Sequence, residues 1–219
     1  MSKAPRKLPK TASVAIPQGG QKLHAPAAQR NVEPILQAIK AIVPARGQAL
    51  EIASGTGEHI IRYAAAHSGL HWQPTDIEPM RLSSIDAWAE TAGLPNLAKA
   101  QPLNASRPGW AADWPPQDLI ILSNLLHLIS EAEAGTVLDE AAKALASGGV
   151  CIIYGPFMRG REFASEGDRR FHESLRAQAP EIGYKPAQWV HDSLAKAGLA
   201  PEPPQDMPAN NLLLVARKP

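Results

Sequence analysis

At 219 residues, with 44% hydrophobic and 20% charged side chains, the chain can bury one sizeable core, and its composition excludes disordered and collagen-like classes. A net charge of +1 gives no global attraction to nucleic acid or to a membrane surface. The single cysteine, Cys151, excludes an internal disulfide and a multi-thiolate zinc site, and no apolar run reaches the ~20 residues of a membrane span.

Met1 to Gly20 holds Lys3, Arg6, Lys7 and Lys10, no acid, and a closing Gly19-Gly20, which predicts a flexible basic tail ahead of one domain over residues 21–219. No aromatic residue accompanies those charges, so a nucleic-acid arm is the weaker reading. The N-terminus has no continuous apolar segment of the secretory type, and a cytoplasmic protein is expected. From Gln29, the residues Val32, Ile35, Leu36, Ile39 and Ile42 recur at helical spacing, with Asn31 as the expected N-cap and Pro34 in the first turn. Pro44 and Gly47 end that helix.

Leu50 to Asp76 is the informative stretch. A short apolar run, Ala49 to Ala53, is followed by Gly55 and Gly57, a helical run with Ile60, Ile61 and Tyr63, and a second strand ending at Asp76. Asp76 falls roughly 20 residues beyond Gly57, the spacing of a βαβ unit that binds a nucleoside-containing ligand. The glycines free the backbone to approach a ligand, and Asp76 is placed to accept ribose hydroxyls. A pyrophosphate site expects a third glycine where Ile60 stands, and Glu51 would repel phosphate. Glu51 suits a cation instead.

A helix is predicted over Met80 to Ala92, ended by Gly93, and a third strand over Leu97 to Leu103, with Asn104 at its exit. Asp118 to Leu122 reads as a buried parallel strand leading into Ser123, Asn124, Leu125, Leu126 and His127. An imidazole there suits a general base near neutral pH. Glu131 to Ala146 is a helix stopped by Gly148-Gly149, and Val150 to Tyr154 is a strand that buries Cys151 as a small hydrophobe. Residues 158–184, with Arg159, Arg161, Phe163, Arg169, Arg170 and Phe171, read as an insertion covering a pocket. A helix over Ala187 to Ala197 precedes a hairpin with strands at Ala200 to Asp206 and Leu212 to Ala216.

The segment EIASGTGEH resembles the first motif of the class I methyltransferases that use S-adenosylmethionine (SAM). Together with HAPAAQRNVEPIL (24–36), WQPTDIEP around Asp76, YGPF (154–157) and DMPANNLLLV from Asp206, it is similar to the methyltransferase-like 26 family and its bacterial relatives. The likeness runs over nearly the whole chain. It implies an α/β fold with a seven-stranded, mostly parallel sheet, helices on both faces and a C-terminal antiparallel hairpin. It also implies SAM held by Glu51, Ala53, Ser54, Gly55, Gly57 and Asp76, with Asn104, Ala105 and Ser123 at the adjoining strand ends. Asn104 stands where many class I methyltransferases carry an aspartate for the adenine amino group, and its carbonyl can accept the same bond without the charge. Arg30 and Asn31 either fold over the cofactor or orient a substrate carboxylate, or else Asn31 merely caps the helix and Arg30 is a solvated charge. His127 and Tyr154 are the expected catalytic residues, acting on a small-molecule acceptor, and no metal cluster is expected. The chain lacks the Asn/Asp-Pro-Pro-aromatic motif of nucleobase and amide methylation. A non-catalytic SAM-binding or adaptor protein, and a methyltransferase acting on RNA or protein, are the competing expectations.

Overall fold

The computed structural model describes residues 13–219. Lys3, Arg6, Lys7 and Lys10 of the predicted tail lie outside the described residues. The second part of that tail is not loose chain. Strand β1 (Ile16–Pro17) pairs antiparallel with β2 (Leu23–His24) across a turn in which Gly19 and Gly20 both take positive φ. Helix α1 (Pro26–Ile39) begins three residues before the predicted start, because Pro26 occupies its first turn with φ already set for a helix. Ala25, not Asn31, therefore stands at the cap. The Asn31 side chain is released for another contact, described below.

The remaining elements alternate strand and helix. They are β3 (Gly47–Ile52), α2 (Glu58–Ala66), β4 (Leu70–Asp76), α3 (Pro79–Ala92) and β5 (Gln101–Pro102). Next come β6 (Gln117–Ser123), α4 (Glu131–Ala144), β7 (Leu145–Pro156), α5 (Glu166–Gln178) and α6 (Ala187–Lys196). The chain closes with β8 (Ala200–Pro201), β9 (Gln205–Asp206) and β10 (Asn211–Arg217). Sheet order is β5-β4-β3-β6-β7-β10-β8, with β9 also on β10. The first five are parallel, and β10 runs antiparallel to β7, β8 and β9. Pro203 and Pro204 lack the N–H groups a ladder needs, so the predicted strand 200–206 is split in two.

Two further boundaries differ from the periodicity. The third strand shrinks to Gln101–Pro102 plus a lone bridge between Trp72 and Leu97, as suits an edge strand carrying a proline. Helix α4 stops at Ala144 and passes directly into β7, so Gly148-Gly149 lies inside a strand, where the pairing with β6 shifts register.

Strand alternation divides the core. Leu50, Ile52, Ile120, Leu122, Cys151 and Ile153 face α4 and α6, whereas Ala49, Leu119, Ile121, Ile152 and Leu213 face α1, α2 and α3. Glu51, in step with Ala49, and Tyr154, in step with Ile152, lie on the side of their strands that faces this second layer. Residues 158–184 build a small core of their own from Leu175, Ala179, Ile182 and Tyr184, against which Leu128, Phe163 and Phe171 pack. Among the described residues, no helix is long and apolar enough to cross a membrane.

Candidate functional site

Strand β3 has β4 on one side and β6 on the other, so the chain reverses direction across the sheet at its carboxyl end. Open α/β sheets bind ligands at this switch point. The loop after β3 is held by β4: Ser54 N–H donates to Thr75 O at 2.7 Å, and Gly55 N–H to Asp76 Oδ2 at 2.9 Å. The other Asp76 oxygen accepts Glu78 N–H at 3.0 Å, so one carboxylate fixes both the glycine loop and the entry to α3. Asp76 is only 3% exposed, and burial raises its pKa against the opposing pull of those amides and Arg81.

The two glycines do different jobs. Gly55 lines the cavity at φ +62, and a Cβ there would make only ordinary contacts, with Arg81 Nη1 at 3.8 Å and Ala53 O at 4.0 Å. A Cβ on Gly57 would lie 2.8 Å from Ile85 Cα, so that glycine serves the close packing of α2 on α3 rather than ligand approach. Ile60, in place of a third glycine, is fully buried in the same layer.

A cavity of about 200 Å³ opens between this loop, the first turn of α1 and the end of β6. Its walls include Ala53, Ser54, Gly55 and Thr56, then His59 and Arg81, Arg30 from α1, and Ser123 to Leu125. Ala53 and Asn124 both take positive φ, at 55° and 57°. Left-handed non-glycine residues at two adjoining strand ends are strain of the kind concentrated at functional sites.

Beneath the loop, Glu51 is 2% exposed, and its Oε2 has no hydrogen-bond partner. Burial lifts its pKa to about 8, with Asp76 adding to the rise and Ser54 opposing it. The Ser123 Oγ and the Tyr63 hydroxyl are buried nearby and face each other, with no other partner. A buried carboxyl with one oxygen unpartnered under a ligand-facing loop fits a ligand that brings a positive charge with N–H donors.

Of the sequence-predicted residues, Arg30, Ala53, Ser54, Gly55 and Ser123 border the cavity. Asn31 sits one layer behind it: His59 Nε2–H donates to Asn31 Oδ1 at 2.6 Å, and Asn31 and Asn211 hydrogen-bond the Tyr154 hydroxyl. Burial raises the Tyr154 pKa, so that phenol stays protonated. Asn104 and Ala105 are not among the lining residues. Asn104 is exposed, with Oδ1 accepting Ser106 N–H, and the Ala105 carbonyl accepts the Trp110 indole N–H at 3.0 Å.

His127 also lies outside the lining, in the 158–184 cluster, with ring centroids 5.9 Å from Phe171 and 6.1 Å from Tyr184. Burial, aided by Lys185, lowers its pKa to about 3, which leaves a neutral and very weak base. Adjacency to the end of β6 suggested a base, but the short turn Leu126–Leu128 swings the ring to the far side.

Sequence reasoning missed His59, Arg81 and Asn124 in the wall, and Glu58 beside it. Glu58 accepts Ala25 N–H at 2.6 Å, His24 Nδ1 at 2.8 Å and the Thr56 hydroxyl at 2.9 Å, tying the N-terminal elements to the glycine loop. The pair Glu58-His59, directly after Gly57 at the head of a helix, was the available signal. Burial lowers the His59 pKa to about 4, against the opposing pull of Glu58, and leaves the ring neutral.

A family profile matches residues 22–218. The chain belongs to the DUF938 family. That family is described as proteins of unknown function. The fold of this DUF938 chain is shared by larger solved proteins. One is an O-methyltransferase family protein from Burkholderia thailandensis, at TM-score 0.72 and 18% identity, over 88% of this chain and 57% of that one. Another is human N-acetylserotonin methyltransferase in complex with SAM, at TM-score 0.72 and 15% identity, over 88% and 52%. A third is an O-methyltransferase family 2 protein from Planctomyces limnophilus in complex with apigenin, at TM-score 0.68 and 18% identity, over 90% and 63%. The chain thus spans a little over half the length of these structures.

Proposed function

We propose that this DUF938 protein is a SAM-dependent methyltransferase acting on a small-molecule acceptor. The observation that carries the reading is the buried Glu51 carboxyl, with one oxygen unpartnered, below a glycine loop at the switch point of the sheet. A phosphate-bearing ligand would meet a carboxyl there, whereas an α-ammonium would complete it. SAM supplies an electrophilic methyl group whose sulfonium charge disappears on transfer. The residues of this chain bind and align. Glu51 takes the ammonium, and the Gly55 loop takes the ribose side with Asp76 behind it. Arg30, in the cavity wall, pairs with the carboxylate.

Methyl transfer depends mainly on aligning donor and acceptor with water excluded, so the distant His127 is not needed as a base when the acceptor arrives nucleophilic. Tyr154, buried behind the cavity wall and held by Asn31 and Asn211, is the group we assign to orient the acceptor. Residues 158–184 border this end of the site through Leu128, which lines the cavity and packs on their small core, and they are assigned to cover the acceptor. Solved proteins of the same fold named as O-methyltransferases, one with apigenin, support the small-molecule reading. The N-terminal, YGPF and C-terminal motifs support kinship with methyltransferase-like 26 proteins.

Isothermal titration is the direct test. SAM and its demethylated product are expected to bind with a Kd in the micromolar range, NAD to give no heat, and Asp76→Ala to weaken SAM at least about tenfold, the equivalent of one lost charged hydrogen bond. NAD binding, or no heat from SAM, would overturn the assignment.

A further inference from the structure

The cavity has a wall that the sheet does not provide. Ser13 and Val14 lie against it, opposite the glycine loop, and Arg81 of α3 donates a hydrogen bond from Nη2 to Ser13 Oγ. Arg81 Nη1 would stand 3.8 Å from a Cβ on Gly55, so the same guanidinium lies over the loop.

The two ends of this N-terminal segment are held very differently. At residues 22–25 it is fastened to the body of the domain. Leu23 N–H donates to Ser84 Oγ at 2.8 Å, Trp88 Nε1–H donates to Leu23 O at 2.9 Å, and Lys22 lies 4.6 Å from the Trp88 ring centroid. Glu58 holds His24 and the Ala25 amide as described. Between the two ends, among the described residues, lie the two residue pairs of β1 and β2 and the turn at Gly19-Gly20, closed by Gln18 N–H on Lys22 O at 2.9 Å. Val14 and Ile16 are 37% and 46% exposed, so little apolar burial holds that arm down.

Size completes the argument. With Ser13 and Val14 in place the cavity is about 200 Å³. Clefts that enclose a drug-sized ligand run from about 300 to 1,000 Å³. With Ser13 and Val14 in this position the cavity is below that range.

We propose that residues 13–17 are a gate over the ligand site, hinged at Gly19-Gly20 and latched by Ser13 on Arg81. The gate lifts to admit the adenosyl donor and lowers again over it. This rests on the SAM reading above. A gate that must open in both directions slows entry and exit alike, which distinguishes it from a wall that merely touches the ligand.

Stopped-flow measurement of SAM binding to the full chain, followed by the fluorescence of Trp88 beside the anchored end, tests it. Ser13→Ala is expected to raise the association and dissociation rates together, by about tenfold or more, the worth of a hydrogen bond to a charged partner. Arg81→Met is expected to raise the association rate at least as much. An association rate unchanged in both variants would overturn the gate, whatever happened to affinity. Should SAM not bind the wild type at all, the SAM reading fails separately, and the latch is judged by hydrogen exchange without ligand. Amides 14–18 are then expected to exchange faster in Ser13→Ala, with those of Leu23 and Ala25 unchanged; equal exchange at 14–18 would overturn the latch.

Discussion

Burial with one oxygen unpartnered holds the Glu51 carboxyl at about 8, well above the ordinary carboxylate range. The folded state therefore keeps a proton that the unfolded chain releases near pH 4.5, and stability falls as pH rises from there through about 8. Glu51→Gln removes that dependence. In denaturant unfolding it is expected to match the wild type at pH 5 and exceed it at pH 9 by on the order of 2–4 kcal/mol, while losing SAM affinity. His127 titrates with the opposite sign. Its folded pKa of about 3 lies below the unfolded 6.5, so its contribution is complete above pH 6.5 and is lost as pH falls toward 3. His127→Phe is expected to flatten the stability profile between pH 6.5 and 4 and to leave SAM affinity unchanged by titration calorimetry. Loss of binding in that variant would restore His127 to the site. Neither behaviour was legible in the residue types. Glu51 was readable as acceptor of a cation because it precedes the glycines, but its missing partner and its burial are properties of the assembled layers.

At the scale of elements, α2 and α3 are brought together at a single point, where Gly57 at φ +96 meets Ile85. Gly57→Ala imposes both a left-handed alanine and a 2.8 Å contact with backbone, which no rotamer relieves. Chemical denaturation is expected to show a loss of about 2–4 kcal/mol, the sum of a strained φ and an overpacked contact. Helix α1 shows the limit of reading elements locally. Its apolar stripe was plain, and Ile35 and Ile39 are fully buried as that spacing requires. The start was misplaced because Asn31 is a good cap residue in isolation, while the actual boundary is set by Pro26 and by the Glu58 carboxylate, which accepts the Ala25 amide from 33 residues further along the chain. Freed from capping, Asn31 joins His59 to Tyr154, a contact between two helices and a strand that no spacing rule reveals.

Across the whole molecule, the antiparallel β10 is the strand on which the C-terminal half closes, pairing β7 along its length and carrying β8 and β9 on its other edge. Leu213 is fully buried at its centre, and Leu213→Ala is expected to cost about 2–5 kcal/mol in urea unfolding, as for other large-to-small core changes. Periodicity and turn chemistry were enough to determine the alternation of strands and helices, the glycine loop, the acid at the end of β4 and the closing hairpin, because each depends on neighbours a few residues apart. Only the tertiary structure decided which of these residues face one another. The β6 register sets Ser123 beside Tyr154, the turn after β6 carries His127 away from the cavity, and Ser13 comes to rest on Arg81. These are contacts between segments far apart in the chain, and their geometry follows from packing two layers onto one twisted sheet, which local sequence does not encode.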